Sequence, residues 1–268
     1  MIKDNARSGS KGVADVTVYP DHRSFVDGAA AFIAGLAVES IAARGRFTLA
    51  LSGGSTPRPI YARLAAADHV DRRYDRIDNR IEGRIDWGKV HIFFSDERCV
   101  PPDDAASNYR TAREALLDHV PLPTGNIHRI RGEADPVQAA LAYEQDLQSV
   151  FRTSSVPTFD LICLGMGDDG HTASLFPGTA ALRERERWVV AQYVAAARAW
   201  RVTFTAALIN AARHVVFLVE GAGKSETLRR VIEGLYQPDV LPAQLIQPIS
   251  GVAHWLVDAA AAASIQST

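Results

Sequence analysis

Short apolar runs closed by glycine or proline turns alternate along this chain with longer segments of helical period. The runs FTLALSGG (47–54), VHIFFSD (90–96), FDLICLGMG (159–167), HVVFLVEG (214–221) and HWLVD (254–258) are too short for helices. Most are rich in β-branched or aromatic side chains, which predicts buried strands. Between them the periodicity predicts helices over 22–43, 57–67, 107–119, 135–151, 205–212, 222–234 and 258–264. Strand alternating with helix predicts an α/β fold, a single-domain Rossmann-like parallel sheet with helices on both faces. The densely charged segment 68–88 reads equally as a short surface helix or an insertion loop. Without an internal repeat or a Pro/Ser linker, residues 14–268 are expected to form one domain behind a flexible tail at 1–13.

Composition narrows the function classes. Of 268 residues, 47% are hydrophobic and 22% charged, an ordinary globular balance. A formal net charge of −2 leaves no electrostatic footprint for nucleic acid or an anionic membrane, so neither is expected as a partner. A small anionic substrate would have to be caught by a local basic cluster. The polar N-terminus lacks the apolar core of a signal peptide, and the Ala-rich stretches are interrupted by charges, so a cytoplasmic protein is expected. Cys99 and Cys163 form no CxxC pair and read as reduced thiols. No His/Cys cluster has ligand spacing, so neither metal nor organic cofactor is expected. A monomer or weak homodimer is the expected assembly.

Ligands of open parallel sheets gather at the carboxyl ends of the strands. Four polar loops come after predicted strands here: SGGSTP, SDERCVPPDDAASNY, GMGDDGHT and EGAGKS. In the first, Gly53 and Gly54 permit close backbone approach, and Ser55 and Thr56 precede a helix start whose free N–H groups suit phosphate. An ordinary strand-to-helix turn would explain the glycines but not the whole run. The nucleophile-elbow pattern GxSxG fails, because Pro57 stands where its last glycine belongs.

The segment 165–170 matches the dinucleotide pattern GxGxxG. Asp168 and Asp169, however, would face a pyrophosphate, and no acidic ribose ligand comes after the next β-like run, WVVAQY. The residue directly after the segment is His171, suited to proton transfer, with Asp169 close enough to orient it; capping the next short helix is its bland alternative. Lys224, in a truncated P-loop-like GAGKS, is a candidate for one phosphate contact or a solvated lysine. Asp96 and Arg98 are rim charges with candidate catalytic roles, a structural ion pair being the alternative for at least one acid of Asp96-Glu97. Asn108 opens a helix, as a cap or a hydroxyl ligand. Arg201, in a β-like segment with Arg198 nearby, is a candidate phosphate ligand. His91, His119, His128, His214 and His254 sit in no such cluster and receive no role.

Taken together, SGGSTP (52–57), DERCVPPDDAASN (96–108) and GMGDDGHTASLFPG (165–178), supported by RVTFT (201–205) and FLVEGAGK (217–224), resemble the 6-phosphogluconolactonase family. That family's fold is like glucosamine-6-phosphate deaminase. The resemblance covers about residues 15–260. It implies hydrolysis of a phosphorylated sugar lactone without cofactor, the phosphate on Gly53, Gly54, Ser55 and Thr56 with help from Arg201 and Lys224. His171 would be the base, and Arg98 would stabilise the oxyanion or hold the substrate. Arg198 stands where the family usually has a lysine, and segment 68–88 is longer than the family pattern. An amino-sugar-phosphate deaminase, a non-catalytic sugar-phosphate sensor and a nucleotide-binding enzyme are the alternatives.

Overall fold

Central strands of a parallel sheet are buried on both faces and therefore need unbroken apolar sequence rather than alternation. The computed structural model describes residues 15–69 and 84–266; the tail expected at 1–13 and most of the charged segment 68–88 lie outside them. The strands are β1 (Asp15–Tyr19), β2 (Phe47–Leu51), β3 (Val90–Phe94), β4 (Asp96–Arg98), β5 (Leu161–Leu164), β6 (Val189–Val194), β7 (Ala199–Phe204), β8 (His214–Val219) and β9 (Val252–Asp258). The helices are α1 (His22–Arg44), α2 (Pro57–His69), α3 (Asn108–Ala115), α4 (Pro136–Phe151), α5 (Ala206–Ile209), α6 (Ser225–Ile232) and α7 (Ala259–Ala262).

Six strands form a parallel sheet in the order β1-β9-β8-β5-β2-β3. β2 and β5 are buried at every position, as their sequences require. Chain direction across the sheet reverses between these two neighbours, since β2 leads outward to β3 while β5 leads the other way to β8. Such a switch point opens a crevice at the strands' carboxyl ends.

A second sheet departs from the single parallel sheet that the sequence predicts. β4, β7 and β6 pair antiparallel in that order. The run 90–96, expected as one strand, breaks at Ser95. The Ser95 N–H donates to Leu51 O at 2.9 Å, while Ser95 O accepts from Phe204 N at 2.8 Å. One residue thus belongs to both sheets, and the chain beyond it leaves the parallel sheet. Phe204 of β7 packs on Phe159 at 5.4 Å between ring centroids, and Phe159 on Phe93 of β3 at 5.1 Å, so aromatic burial joins the two layers.

Helix α1 begins at an Asp21 cap that accepts from Ser24 N at 2.7 Å and ends at Gly45, whose φ of 75° is the left-handed conformation a C-terminal glycine supplies. Its 23 residues include a window of mean hydropathy 1.6, long and apolar enough to cross a membrane, contrary to the sequence expectation. The structure accounts for that apolarity by packing: Phe25, Ala29, Ile33 and Ala37 recur at helical spacing and are buried in the hydrophobic core. Other predicted helices shorten. The stretch 205–212 contracts to α5 and 258–264 to α7, while 107–119 and 222–234 divide into α-helix and 3-10 turns.

Candidate active site

The loops leaving the carboxyl ends of β2, β3, β5 and β8 are tied to one another by specific side chains. After β5, residues 165–171 form a tight turn, with Gly167 N–H donating to His171 O at 2.8 Å and Gly170 N–H to Gly167 O at 3.0 Å. No helix opens directly after it; the next helical residues are Ala180–Arg183. A dinucleotide fingerprint needs a helix N-terminus beneath the pyrophosphate, so the GxGxxG match lacks its structural context.

Within this turn His171 Nδ1 lies 2.6 Å from Asp169 Oδ1, which also accepts the His171 N–H at 3.1 Å. A carboxylate only accepts, so Nδ1 carries the proton and Nε2 is the basic nitrogen. Burial alone would raise the Asp169 carboxyl, but the hydrogen bonds from the His171 ring and backbone outweigh it and hold it below the usual carboxylate range. The His171 side chain is 30% exposed, placing it at a surface a substrate can reach.

Gly167 makes room for this pair. A Cβ there would lie 2.0 Å from His171 Nδ1 and 2.7 Å from Asp169 Oδ1. We expect Gly167→Ala to lower kcat by about 10²-fold through misplacement of the imidazole, with little change in substrate affinity. Steady-state kinetics on the folded variant checks this, and an unchanged kcat contradicts the close packing.

Asp96 and Asn108 join three loops. Asp96 Oδ2 accepts from Ser174 Oγ at 2.6 Å, and Asp96 Oδ1 accepts from Asn108 Nδ2 at 3.0 Å. Asn108 Nδ2 also reaches Asp96 O at 2.9 Å. The Asn108 side chain lies so close over Gly53 that a Cβ on Gly53 would meet its Oδ1 at 1.7 Å. Hence Gly53, Asn108, Asp96 and Ser174 form one contiguous strip between the first and third rim loops. Asp96 is buried and occupied by these partners, which places its carboxylate in the framework.

Glu97, assigned no individual role from the sequence, braces the same strip. Its carboxylate accepts from Asn108 N at 2.7 Å, Tyr109 N at 2.8 Å, Arg98 N at 2.8 Å and Ser107 Oγ at 3.0 Å. Burial lifts this carboxyl above its usual range against the pull of those N–H groups. An acid facing the first turn of a helix satisfies free N–H groups there, and the helix-opening Ser107-Asn108 was the sequence signal for such a partner.

Arg98 and Arg201 are directly opposite across β4 and β7. Like charges in that position repel. Both carry a buried Nε without a hydrogen-bond partner, although Arg98 also donates from a terminal nitrogen to Ala106 O at 2.5 Å. Burial, reinforced by Arg98 against the opposing pull of Asp96, lowers the Arg201 pKa. Guanidiniums are the side chains whose planar donor sets pair with carboxylate and phosphate groups.

The remaining candidates fall around this centre. Gly54, with φ of 105°, Ser55 and Thr56 form the partly exposed turn before α2, and Gly54 holds a left-handed backbone that favours glycine. Lys224 is not an isolated charge at a helix start: its Nζ lies 2.5 Å from Asp168 Oδ1, tying the β8 loop to the His171 turn. Arg198 sits exposed in the turn between β6 and β7. The histidines read as unclustered are in fact partly paired. His91 Nδ1 is 3.2 Å from His128 Nε2 and His214 Nδ1 is 3.1 Å from His254 Nε2, nearer the amino ends of the strands, away from the rim. Among the described residues no group of three His, Cys, Asp or Glu side chains is placed to hold a metal ion.

Comparison with known proteins places the chain in a family. A profile for glucosamine-6-phosphate isomerases/6-phosphogluconolactonase matches residues 20–255. A 6-phosphogluconolactonase of Nostoc sp. is 40% identical over 253 residues, covering 93% of this chain and 98% of its own length. One from Synechocystis sp. is 44% identical over 223 residues, 82% of this chain and 85% of the relative. The structure of 6-phosphogluconolactonase from Trypanosoma brucei superposes with a TM-score of 0.79 at 28% identity, over 94% of this chain and 99% of that one. The chain belongs to the glucosamine-6-phosphate isomerase/6-phosphogluconolactonase family.

Proposed function

We propose that this chain hydrolyses 6-phospho-D-glucono-1,5-lactone to 6-phosphogluconate, a step of the oxidative pentose phosphate pathway, with His171 as general base. The observation that carries the reading is the His171–Asp169 contact of 2.6 Å on the same rim as the opposed Arg98 and Arg201. The family's relatives named for this activity add to it.

The chemistry rests on the groups present. Arg98 and Arg201 hold the substrate's phosphate, with the backbone of Gly53, Gly54, Ser55 and Thr56 as the adjoining wall. That remote binding energy fixes the lactone for attack. His171 Nε2 takes a proton from water as its oxygen adds to the C1 carbonyl, and Asp169 stabilises the imidazolium. The tetrahedral intermediate collapses with cleavage of the bond between C1 and the ring oxygen, which receives the proton back. Asp96 and Asn108 act as positioning residues, holding Ser174 and the Gly53 turn, and Lys224 holds Asp168. The free thiols of Cys99 and Cys163 fit a reducing compartment.

A timed assay on freshly made 6-phosphogluconolactone, with spontaneous hydrolysis subtracted, tests the activity. Turnover above background is expected. Ammonia release from glucosamine 6-phosphate without lactone hydrolysis would assign the chain to the deaminase branch, and binding without turnover would make it a sensor.

A further inference from the structure

Beyond His171 the chain doubles back on itself. Thr172 and Leu175 form an isolated antiparallel bridge, with Leu175 N–H donating to Thr172 O at 2.9 Å. Between them Ala173 adopts a φ of 47°, in the left-handed region that a residue with a Cβ rarely occupies. Such a conformation persists only where the surroundings enforce it. Here Ser174 enforces it: fully buried, it donates from its N–H to Thr203 Oγ1 at 3.1 Å and from its hydroxyl to Asp96 at 2.6 Å.

The consequence of this turn is the position of Phe176. Its ring stacks on the His171 imidazole, with centroids 4.0 Å apart and planes inclined by only 19°. The Arg201 guanidinium carbon lies 5.9 Å from the centroid of the same ring. An aromatic face attracts positive charge. Arg201 carries its charge throughout, while His171 acquires one as it takes the proton from water.

We propose that Phe176 is a positioning residue for the hydrolysis, an aromatic plate that fixes the rotation of the His171 ring and stabilises its protonated form. A single hydrogen bond to Asp169 leaves the imidazole free to swing about that contact. Gly167 bounds its Nδ1–Cε1 edge and Phe176 covers one face, so the ring is held with Nε2 directed consistently. The benefit is greatest when the ring is charged, which makes it a contribution to the transition state more than to substrate binding. This proposal rests on the reading of His171 as the base.

The test compares Phe176→Leu with Phe176→Tyr in the full chain, alongside His171→Ala. Loss of the aromatic face is expected to lower kcat by about 3–30-fold, the span of a cation–π contact, with KM changed by less than about threefold. Tyrosine, which keeps the face, restores most of the rate. NMR of the His171 ring protons reads the stack independently of activity: the leucine variant loses the ring-current shift and the tyrosine variant keeps it. Phe176→Met replaces the leucine variant if that one is unstable. A leucine variant within twofold of the wild-type kcat, or a tyrosine variant as impaired as leucine, overturns the plate. If that result accompanies an inactive His171→Ala, only the plate fails; if His171→Ala still turns over, the base reading fails and the plate with it.

Discussion

Replacing His171 by alanine is expected to lower kcat for lactone hydrolysis by about 10²–10⁴-fold, the usual range for a general base. The product's affinity should stay nearly unchanged, because the proposed mechanism assigns the phosphate to Arg98 and Arg201 rather than to His171. The fold should tolerate the change. His171 is partly exposed, and the hydrogen bonds of its backbone to Gly167 and Asp169 survive truncation at Cβ. Losing the imidazole leaves Asp169 without its ring partner, but that carboxylate is half exposed and can be hydrated. Activity is read as initial rate above spontaneous hydrolysis, and product binding by calorimetry. Near-normal turnover would remove His171 from the mechanism, whereas loss of both turnover and product binding would point to a collapsed rim.

The second large effect is expected from Arg201→Met, which keeps an apolar stem over Phe176 while removing the guanidinium. If Arg98 and Arg201 share the substrate's phosphate, KM should rise by about 10–100-fold, the worth of a charged hydrogen bond or two. An effect confined to kcat would contradict this role. Stability should move the other way. Burial of the Arg201 charge, with Arg98 opposite it across the β4–β7 pair, outweighs the pull of Asp96 and Glu97 on that charge. The thermal midpoint of the ligand-free variant should therefore equal or exceed the wild type. The difference should narrow in the presence of inorganic phosphate, which stabilises the wild type by binding its folded state. A variant that loses stability as well as affinity would mean that the arginine is needed chiefly for packing.

These two experiments separate features that differ in how they are written into the chain. The histidine and its aspartate are two residues apart, so a local turn brings them together and the motif GMGDDGHT displays them directly. The arginine pair is not local. Arg98 and Arg201 meet because β4 leaves the parallel sheet at Ser95 and runs antiparallel to β7. In sequence, VHIFFSD continues its apolar run into the charged residues without a turn signal, so nothing local marks the break.

The same distinction governs Asp96. As a rim acid at the end of an apolar strand it suggested catalysis. Its carboxylate instead engages Asn108, twelve residues on, and Ser174, seventy-eight residues on. Whether a carboxylate reacts or braces depends on which groups occupy its lone pairs, and those groups come from other loops. The histidine pairs obey the same rule, because His91 and His128, or His214 and His254, meet only when distant segments pack side by side. Edge strand β1 carries no local signal for another reason: it is short and largely exposed, and so lacks the apolar run of β2, β5 and β8.

By itself, then, the sequence determined the α/β alternation, the buried central strands, the glycine-bearing rim turns and the His171–Asp169 neighbourhood. All of these depend on periodicity or on contacts within a few residues. Only the tertiary structure decided that a second antiparallel sheet opposes two arginines, that Asp96 is bound into the framework, and that Phe176 returns to cover His171. Those outcomes depend on strand register and on hydrogen bonds between segments far apart in the chain, which the local pattern of apolar and polar residues does not encode.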